Sequence, residues 1–251
     1  MNKDETYQKI LNEAETNPNV IGFVLGAGRG KGFATEYSDY DIAIIVPDQK
    51  KSEYEDKYKK YHSTEVIDIG VYSLTEYKNY ASWGTEDAAH RYNFTYLKAQ
   101  VDKTGEIQKI IDEKGVIPLD KVKDFVSKEL DGYMNLYYRS MKNHRDGNTL
   151  ACYLDGVESM FYLLTIVFGV EGRLRPYNKF LEWDLKEHPL KLLPWSPDEF
   201  LGKLKKIMAT GDNEVQKEIF SKIRELFRRE GYGDVIDGWK GYFILDSHQQ
   251  K

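Results

Sequence analysis

The chain has 251 residues, 41% of them hydrophobic and 31% charged, and a formal net charge of -5 from 36 basic and 41 acidic side chains. That length buries a substantial core in one large domain or two ordinary ones, and the slightly acidic balance leaves no electrostatic footprint for nucleic acid. The single cysteine, Cys152, excludes an internal disulfide and a multi-cysteine zinc site.

No apolar run approaches the roughly 20 residues that span a bilayer. The longest, "MFYLLTIVFGV" (160–170), reads as a buried helix, and the charged N-terminus "MNKDETYQKI" lacks a signal-peptide core. A cytoplasmic protein with no membrane partner is expected. The acidic excess lies mostly in the first half; it would suit a cationic substrate, but solubility accounts for it more simply.

"DETYQKILNEAETNPN" places Tyr7, Ile10, Leu11 and Ala14 at helical spacing and stops at Asn17-Pro18. "VIGFVLG" (20–26) and "YDIAIIV" (40–46) are short apolar runs bounded by turn residues, as buried strands are. The lysine-rich "DQKKSEYEDKYKKYH" follows as an exposed helix or loop. "TEVIDIGVYS" (64–73) and "YLKAQVD" (96–102) are predicted strands, and "GEIQKIIDEKG" a helix. From Val116 onward only helical periodicity appears: a long segment through Val122, Phe125, Leu130, Met134 and Tyr137, then "TLACYLDGVESMFYLLTIVFG", "NKFLEWDLKEH", "PDEFLGKLKKIMAT" and "NEVQKEIFSKIRELFRREG", with Pro189, Pro194 and Gly211 as breaks. The expected fold class is α+β: a small mixed sheet with flanking helices over 1–115, then an all-α domain over 116–251.

The segment "VLGAGRGKGFATEYSDYDIAIIVPD" (24–48) carries the chemistry. Asp39 and Asp41 stand two apart at a strand entry, so their side chains share a face. Two carboxylates converging there repel unless a cation lies between them, and a divalent metal is the natural partner. Asp68 lies within the apolar "VIDIGV", where a lone acid is costly to bury. If the strands are neighbours, it completes a three-carboxylate cluster able to hold Mg²⁺ and take a proton from an attacking hydroxyl. Gly26, Gly28, Gly30 and Gly32 allow backbone N–H groups to approach a polyphosphate, and Arg29 adds a fork-shaped cation for phosphate oxygens. Taken singly, an Asp-x-Asp is as often a calcium loop or a turn, a glycine run a plain loop, and Asp68 a satisfied strand acid. The segment matches neither the Walker pattern nor a dinucleotide fingerprint, since a strand is expected to follow. The conjunction is far more specific than its parts.

That conjunction resembles the nucleotidyltransferase superfamily that includes DNA polymerase β, on Gly26-Ala27, Ser38-Asp39-Tyr40-Asp41 and Asp68. With a helical second half, it looks most like the aminoglycoside (streptomycin adenylyltransferase type) branch. The motif covers about 45 residues, and the family's loop serine is Ala27 here. The resemblance implies that Asp39, Asp41 and Asp68 hold the metal, with Asp68 also or instead the general base. Gly26, Ala27, Gly28, Arg29 and Ser38 would hold the nucleotide. The reaction implied moves a nucleoside monophosphate, AMP from ATP in most relatives, to a hydroxyl of a small acceptor such as an aminoglycoside. Two further readings stay open: a protein-modifying enzyme of a toxin–antitoxin kind, and a regulatory nucleotide-binding module, motivated by Ala27. A monomer or a homodimer fits either.

In the helical half, Lys179 within "RLRPYNKFLEW" is placed by the resemblance to reach phosphates, or it is a lysine on a solvated face. Asp155 and Glu158 share a helix face and would meet acceptor amines, unless they form a structural salt bridge with Arg139 or Lys142, the simpler reading. Tyr133, Tyr137, Tyr138 and Tyr153 would stack on a ring, or pack in the core. His62, His90, His144, His188 and His248 show no paired metal spacing, and His90-Arg91 follows Trp83 near the third strand.

Overall fold

The computed structural model describes residues 2–242, so His248 lies outside the described residues. Two compact units divide the chain, Met1–Pro118 and Leu119–Lys251.

In the first unit, α1 (Lys3–Thr16) starts at Asn2, whose side chain accepts from the Glu5 N–H while the Glu5 carboxylate accepts from the Asn2 N–H. This reciprocal cap satisfies two donors that a helix start otherwise leaves open. Then follow β1 (Gly22–Leu25), α2 (Ala27–Gly30), β2 (Tyr40–Val46), α3 (Lys51–Tyr58), β3 (Ile67–Ser73), α4 (Leu74–Asn79), a run of 3-10 turns over Glu86–Phe94, β4 (Ala99–Asp102) and α5 (Ile107–Lys114). The sheet order is β3-β2-β1-β4. β2 runs parallel to β3, and β1 antiparallel to both β2 and β4.

Both sheet faces are covered, and so β2 reads as a near-continuous apolar run. Tyr40, Ile42, Ile44 and Val46 pack with Ile10, Ala14, Tyr54 and Tyr58 on one face. On the other, Ile45 and Val24 join Tyr77, Phe94, Ile107 and Ile111. Two predicted strands begin later than expected, at Ile67 rather than 64 and at Ala99 rather than 96. Local turns explain it: Tyr96 takes a left-handed φ of 65°, which no strand accommodates, and the Thr64 hydroxyl donates to the Ile67 carbonyl and accepts from the Ile67 N–H, folding 64–67 into a turn. The lysine-rich stretch is helical and only half solvated, because Tyr54 and Tyr58 anchor it in the core.

Three cations are buried in this unit: Lys31, Arg91 and Lys114. Main-chain carbonyls receive them. Lys114 donates to those of Tyr77 and Tyr80. Arg91 donates to those of Ala81 (3.1 Å), Glu113 (2.6 Å) and Val116 (3.0 Å). Burial, aided by the Arg91 charge, pushes the Lys114 ammonium down to about 8 from 10.5. Between those values the unfolded chain holds a proton that the folded chain releases, so folding is favoured increasingly as pH rises. Measured by urea unfolding against Lys114→Met, the wild type should gain about 1.5 kcal/mol between about pH 8 and about pH 9.5. A flat or falling difference would show that the carbonyls hold the proton in place.

The second unit contains α6 (Val122–Arg145), α7 (Thr149–Gly169), α8 (Asn178–Glu187), α9 (Pro197–Thr210), α10 (Asn213–Arg229) and α11 (Gly233–Gly238). Its core is built on Leu130, Met134, Leu163, Phe168, Phe200 and Phe227. By length and composition α7 reaches what a membrane crossing needs, which the run over 160–170 understated; Cys152, Met160, Leu163, Leu164 and residues 166–169 face this unit's own core, whereas Tyr153, Leu154, Val157 and Phe161 are exposed. Tyr133 and Tyr137 are core residues, with Tyr137 stacked on Phe220 at 3.7 Å between ring centroids. Tyr138 packs with Trp239 and Tyr242. Tyr153 lies over Gly211, whose φ of 60° closes α9 where a side chain would collide with that ring.

Candidate active site

The apolar run of β2 and the shorter run of β3 align so that Asp41 pairs in register with Asp68, and Ala43 with Gly70. Neighbouring strands lie about 4.8 Å apart, so the two carboxylates stand side by side on one face. The end of β1 completes the corner: the Gly26 N–H donates to the Asp41 carbonyl at 2.7 Å. Gly26, Ala27, Asp41 and Asp68 line one cavity of about 320 Å³. Asp68 Oδ1 accepts from the Ser63 N–H at 2.6 Å, which orients the carboxylate from a turn that the third strand's sequence did not suggest.

The glycine-rich segment is not an open loop. It forms one turn of helix, α2, closed by Gly30 N–H to Gly26 O at 2.8 Å and Phe33 N–H to Gly28 O at 2.8 Å. Ala27 takes φ 42° to enter it, a conformation that costs an L-residue about 1–2 kcal/mol. Strain of this kind persists where the surroundings over-determine it, and here the strained Ala27 lines the cavity together with Gly26. Gly28 is buried inside the turn. Lys31 donates to the carbonyls of Tyr92 (2.9 Å), Asn93 (3.3 Å) and Thr95, tying the turn to the 3-10 segment.

Arg29 departs from its expected role. Its Nε and Nη2 donate to the Asp39 carbonyl at 3.0 Å and the Ser38 carbonyl at 2.9 Å, and the guanidinium stacks on Tyr40 at 4.1 Å. A planar fork is suited to this clamp, so Arg29 closes the segment onto the strand entry rather than facing phosphate. Arg29→Lys keeps the charge and loses the fork; urea unfolding should show a loss of about 1–2 kcal/mol, and no loss would mean the clamp contributes nothing. Ser38 also serves the turn, its Oγ accepting from the Thr35 N–H at 2.9 Å.

Asp39 stands just before β2 and does not line the cavity, so the expected three-carboxylate cluster is a pair. Among the described residues no group of three His, Cys, Asp or Glu side chains is placed to hold a metal ion. Mg²⁺ commonly takes one or two carboxylates and completes its shell with substrate phosphates and water. Asp41 and Asp68 fit that use, and not a closed protein cage.

The second unit holds the remaining candidates. Lys179 is exposed near the start of α8, its ammonium 5.2 Å from the Phe180 ring centroid. Asp155 is buried, paired with Arg139 at 3.2 Å and accepting from Asn143 Nδ2 at 2.8 Å, whereas Glu158 on the same helix is exposed. Asp155 thus forms the salt bridge with Arg139 that its sequence context allowed.

Sequence reasoning missed the rest of the cavity wall: Tyr72, Tyr77, Tyr80, Asn93 and Phe94. Tyr72 leans back over Gly70, where a Cβ would lie 2.8 Å from its ring and 3.1 Å from its hydroxyl. Burial raises the Tyr72 phenol, and the Asp68 carboxylate adds to the shift. A glycine two residues after the strand acid and two before a tyrosine was the available signal. His62 also lines the cavity, and His90 is tied to the Tyr80 hydroxyl at 2.9 Å.

No protein-family model matches this chain, and no curated protein matches it. Among solved structures, a nucleotidyltransferase-like protein from Exiguobacterium sibiricum 255-15 is similar to it, at 11% identity and a TM-score of 0.42, over 99% of this chain and 81% of that one.

Proposed function

We infer that the first unit is a Mg²⁺-dependent nucleotidyltransferase acting on a hydroxyl of a small acceptor. One observation carries this: Asp41 and Asp68 stand in register beside the Gly26–Ala27 corner, all lining one cavity. Carboxylate pairs next to a turn of inward backbone donors suit phosphoryl chemistry, in which charge on the transferred group must be held in place. The Ser38-Asp39-Tyr40-Asp41 motif supports the same reading by resemblance, and Asp39 has a metal role on that ground alone.

Asp41 and Asp68 would hold the metal, which supplies neutralisation of the phosphate oxygens and of the departing pyrophosphate. The Ala27, Gly28 and Arg29 N–H groups, the first donors of a helical turn with no partner inside it, would bind the phosphates of a nucleoside triphosphate, ATP by resemblance. Asp68 takes the acceptor's hydroxyl proton. The acceptor oxygen forms its bond to the α-phosphorus as the bond to the β-phosphate oxygen breaks, and pyrophosphate leaves.

The test is pyrophosphate release from each nucleoside triphosphate with Mg²⁺ across a panel of hydroxylated acceptors. A nucleotidylated product, absent when Mg²⁺ is chelated, supports the reading. Tight binding of MgATP with no turnover on any acceptor replaces it with a regulatory module, and no nucleotide binding removes it.

A further inference from the structure

The cavity beside the carboxylates has its own chemistry, and it bears on the acceptor. Its floor is two small residues, Ala43 and Gly70, paired in register between the acids and an aromatic wall of Tyr72, Tyr77, Tyr80 and Phe94. At about 320 Å³ it stands at the low end of small-molecule pockets, which run from about 300 to 1,000 Å³. Since that volume includes the corner at Gly26 and Ala27, the part along the aromatic wall takes no more than a single ring with a short substituent.

Charge decides what kind of ring. Asp41 and Asp68 are the acidic residues lining the cavity, and both are occupied by the chemistry above. The Tyr72 and Tyr77 phenols are pushed up by burial, so they add no negative charge near neutral pH. Behind the wall lie two buried ammonium groups. Lys114 stands 5.7 Å from the Tyr77 ring centroid and 5.2 Å from that of Phe94. Lys31 holds the Asn93 carbonyl. Rings that already face a cation attract a second one poorly, and each amine of an aminoglycoside would enter without a carboxylate to meet it. A neutral aromatic ring meets neither penalty, and stacking or edge contacts with this wall favour it.

We propose that this cavity is the acceptor subsite and takes a neutral aromatic compound bearing a hydroxyl, a phenol or aryl alcohol, rather than a polycationic aminoglycoside. The ring lies against Tyr77, Tyr80 and Phe94, and its hydroxyl reaches Asp68 past the Tyr72 hydroxyl. The assignment of the ring as acceptor and the exclusion of amines both rest on the nucleotidyltransferase reading, which occupies Asp41 and Asp68; the fit of an aromatic ring to the wall does not.

The experiment uses the full chain with Mg²⁺ present and two probes, tyrosol and kanamycin, with binding followed by saturation-transfer NMR. MgATP binding is measured separately by calorimetry. Tyrosol should bind at least tenfold more tightly than kanamycin, and Ala43→Leu, which fills the floor, should weaken tyrosol about tenfold or more. The comparison of the two probes on the wild type stands even if that variant does not fold. Kanamycin binding as tightly as tyrosol, or no binding of tyrosol, overturns the proposal. Displacement of tyrosol by adenosine overturns the acceptor assignment, because the ring site would then be the base site. Absence of MgATP binding with tyrosol still bound removes the nucleotidyltransferase reading and, with it, the acceptor role, while the fit of an aromatic ring to the wall holds.

Discussion

Asp41→Asn and Asp68→Asn should each lower nucleotidyl transfer by a factor on the order of 10²–10⁴, with the unfolding midpoint unchanged or slightly raised. The two substitutions keep the side-chain shape and remove one charge. Because the carboxylates face each other in register, losing one relieves repulsion. In Asp68→Asn the amide oxygen can still accept the Ser63 N–H that Asp68 accepts at 2.6 Å. Stability therefore separates from turnover. The two variants should also differ in kind: Asp41→Asn raises the Mg²⁺ concentration needed, whereas Asp68→Asn lowers turnover even at saturating Mg²⁺, since the base is gone. Pyrophosphate release at several Mg²⁺ concentrations checks both. Full turnover in either variant withdraws that residue's role.

Gly30→Ala should be the most damaging single-methyl change in the first unit. A Cβ at this position would lie 2.0 Å from the Leu25 carbonyl oxygen, and 2.8 Å from both its carbon and Leu97 Cδ2. The oxygen and carbon are main-chain atoms of β1 and have no rotamer to yield with. Overpacking against a mobile side chain costs about 1–3 kcal/mol; against fixed backbone the turn itself must move, so a loss of about 3 kcal/mol or more is expected in urea unfolding. The displaced turn should carry the Ala27 N–H away from the cavity, so MgATP binding falls with stability. Gly32→Ala is the control: its φ of 78° is strained for a side chain, but nothing lies within 4 Å of the added atom, and the cost should stay near 1 kcal/mol. Equal losses in the two variants would show that strain, not the close approach, governs position 30.

Several features were legible from local pattern. The strand 40–46 stands where its apolar run placed it, and α1 ends before Asn17-Pro18, since both signals act within a few residues. α4 was missed although Ser73 and Glu76 carry the capping-box spacing and form it; six residues leave too little periodicity to notice. The 3-10 run over Glu86–Phe94 has no apolar period, being held by side chains such as Arg91 reaching carbonyls more than ten residues on. For Asp155 and Glu158 the spacing left a salt bridge with Arg139 or Lys142 beside a shared acceptor role, and burial against Arg139 decided for the salt bridge at Asp155 while Glu158 stays exposed.

Sequence by itself determined the α+β class and the change to helix after the sheet, because these follow from hydrophobic period, and it offered Gly26, Arg29, Asp39, Asp41 and Asp68 as candidates without saying which of them meet. Tertiary structure alone decided that Asp41 meets Asp68 while Asp39 stays outside, that Arg29 clamps carbonyls, and that an aromatic wall backed by buried lysines closes the cavity. Strand register and the packing of distant segments set those contacts, and no spacing within 24–48 encodes what residues 72–94 will place against it.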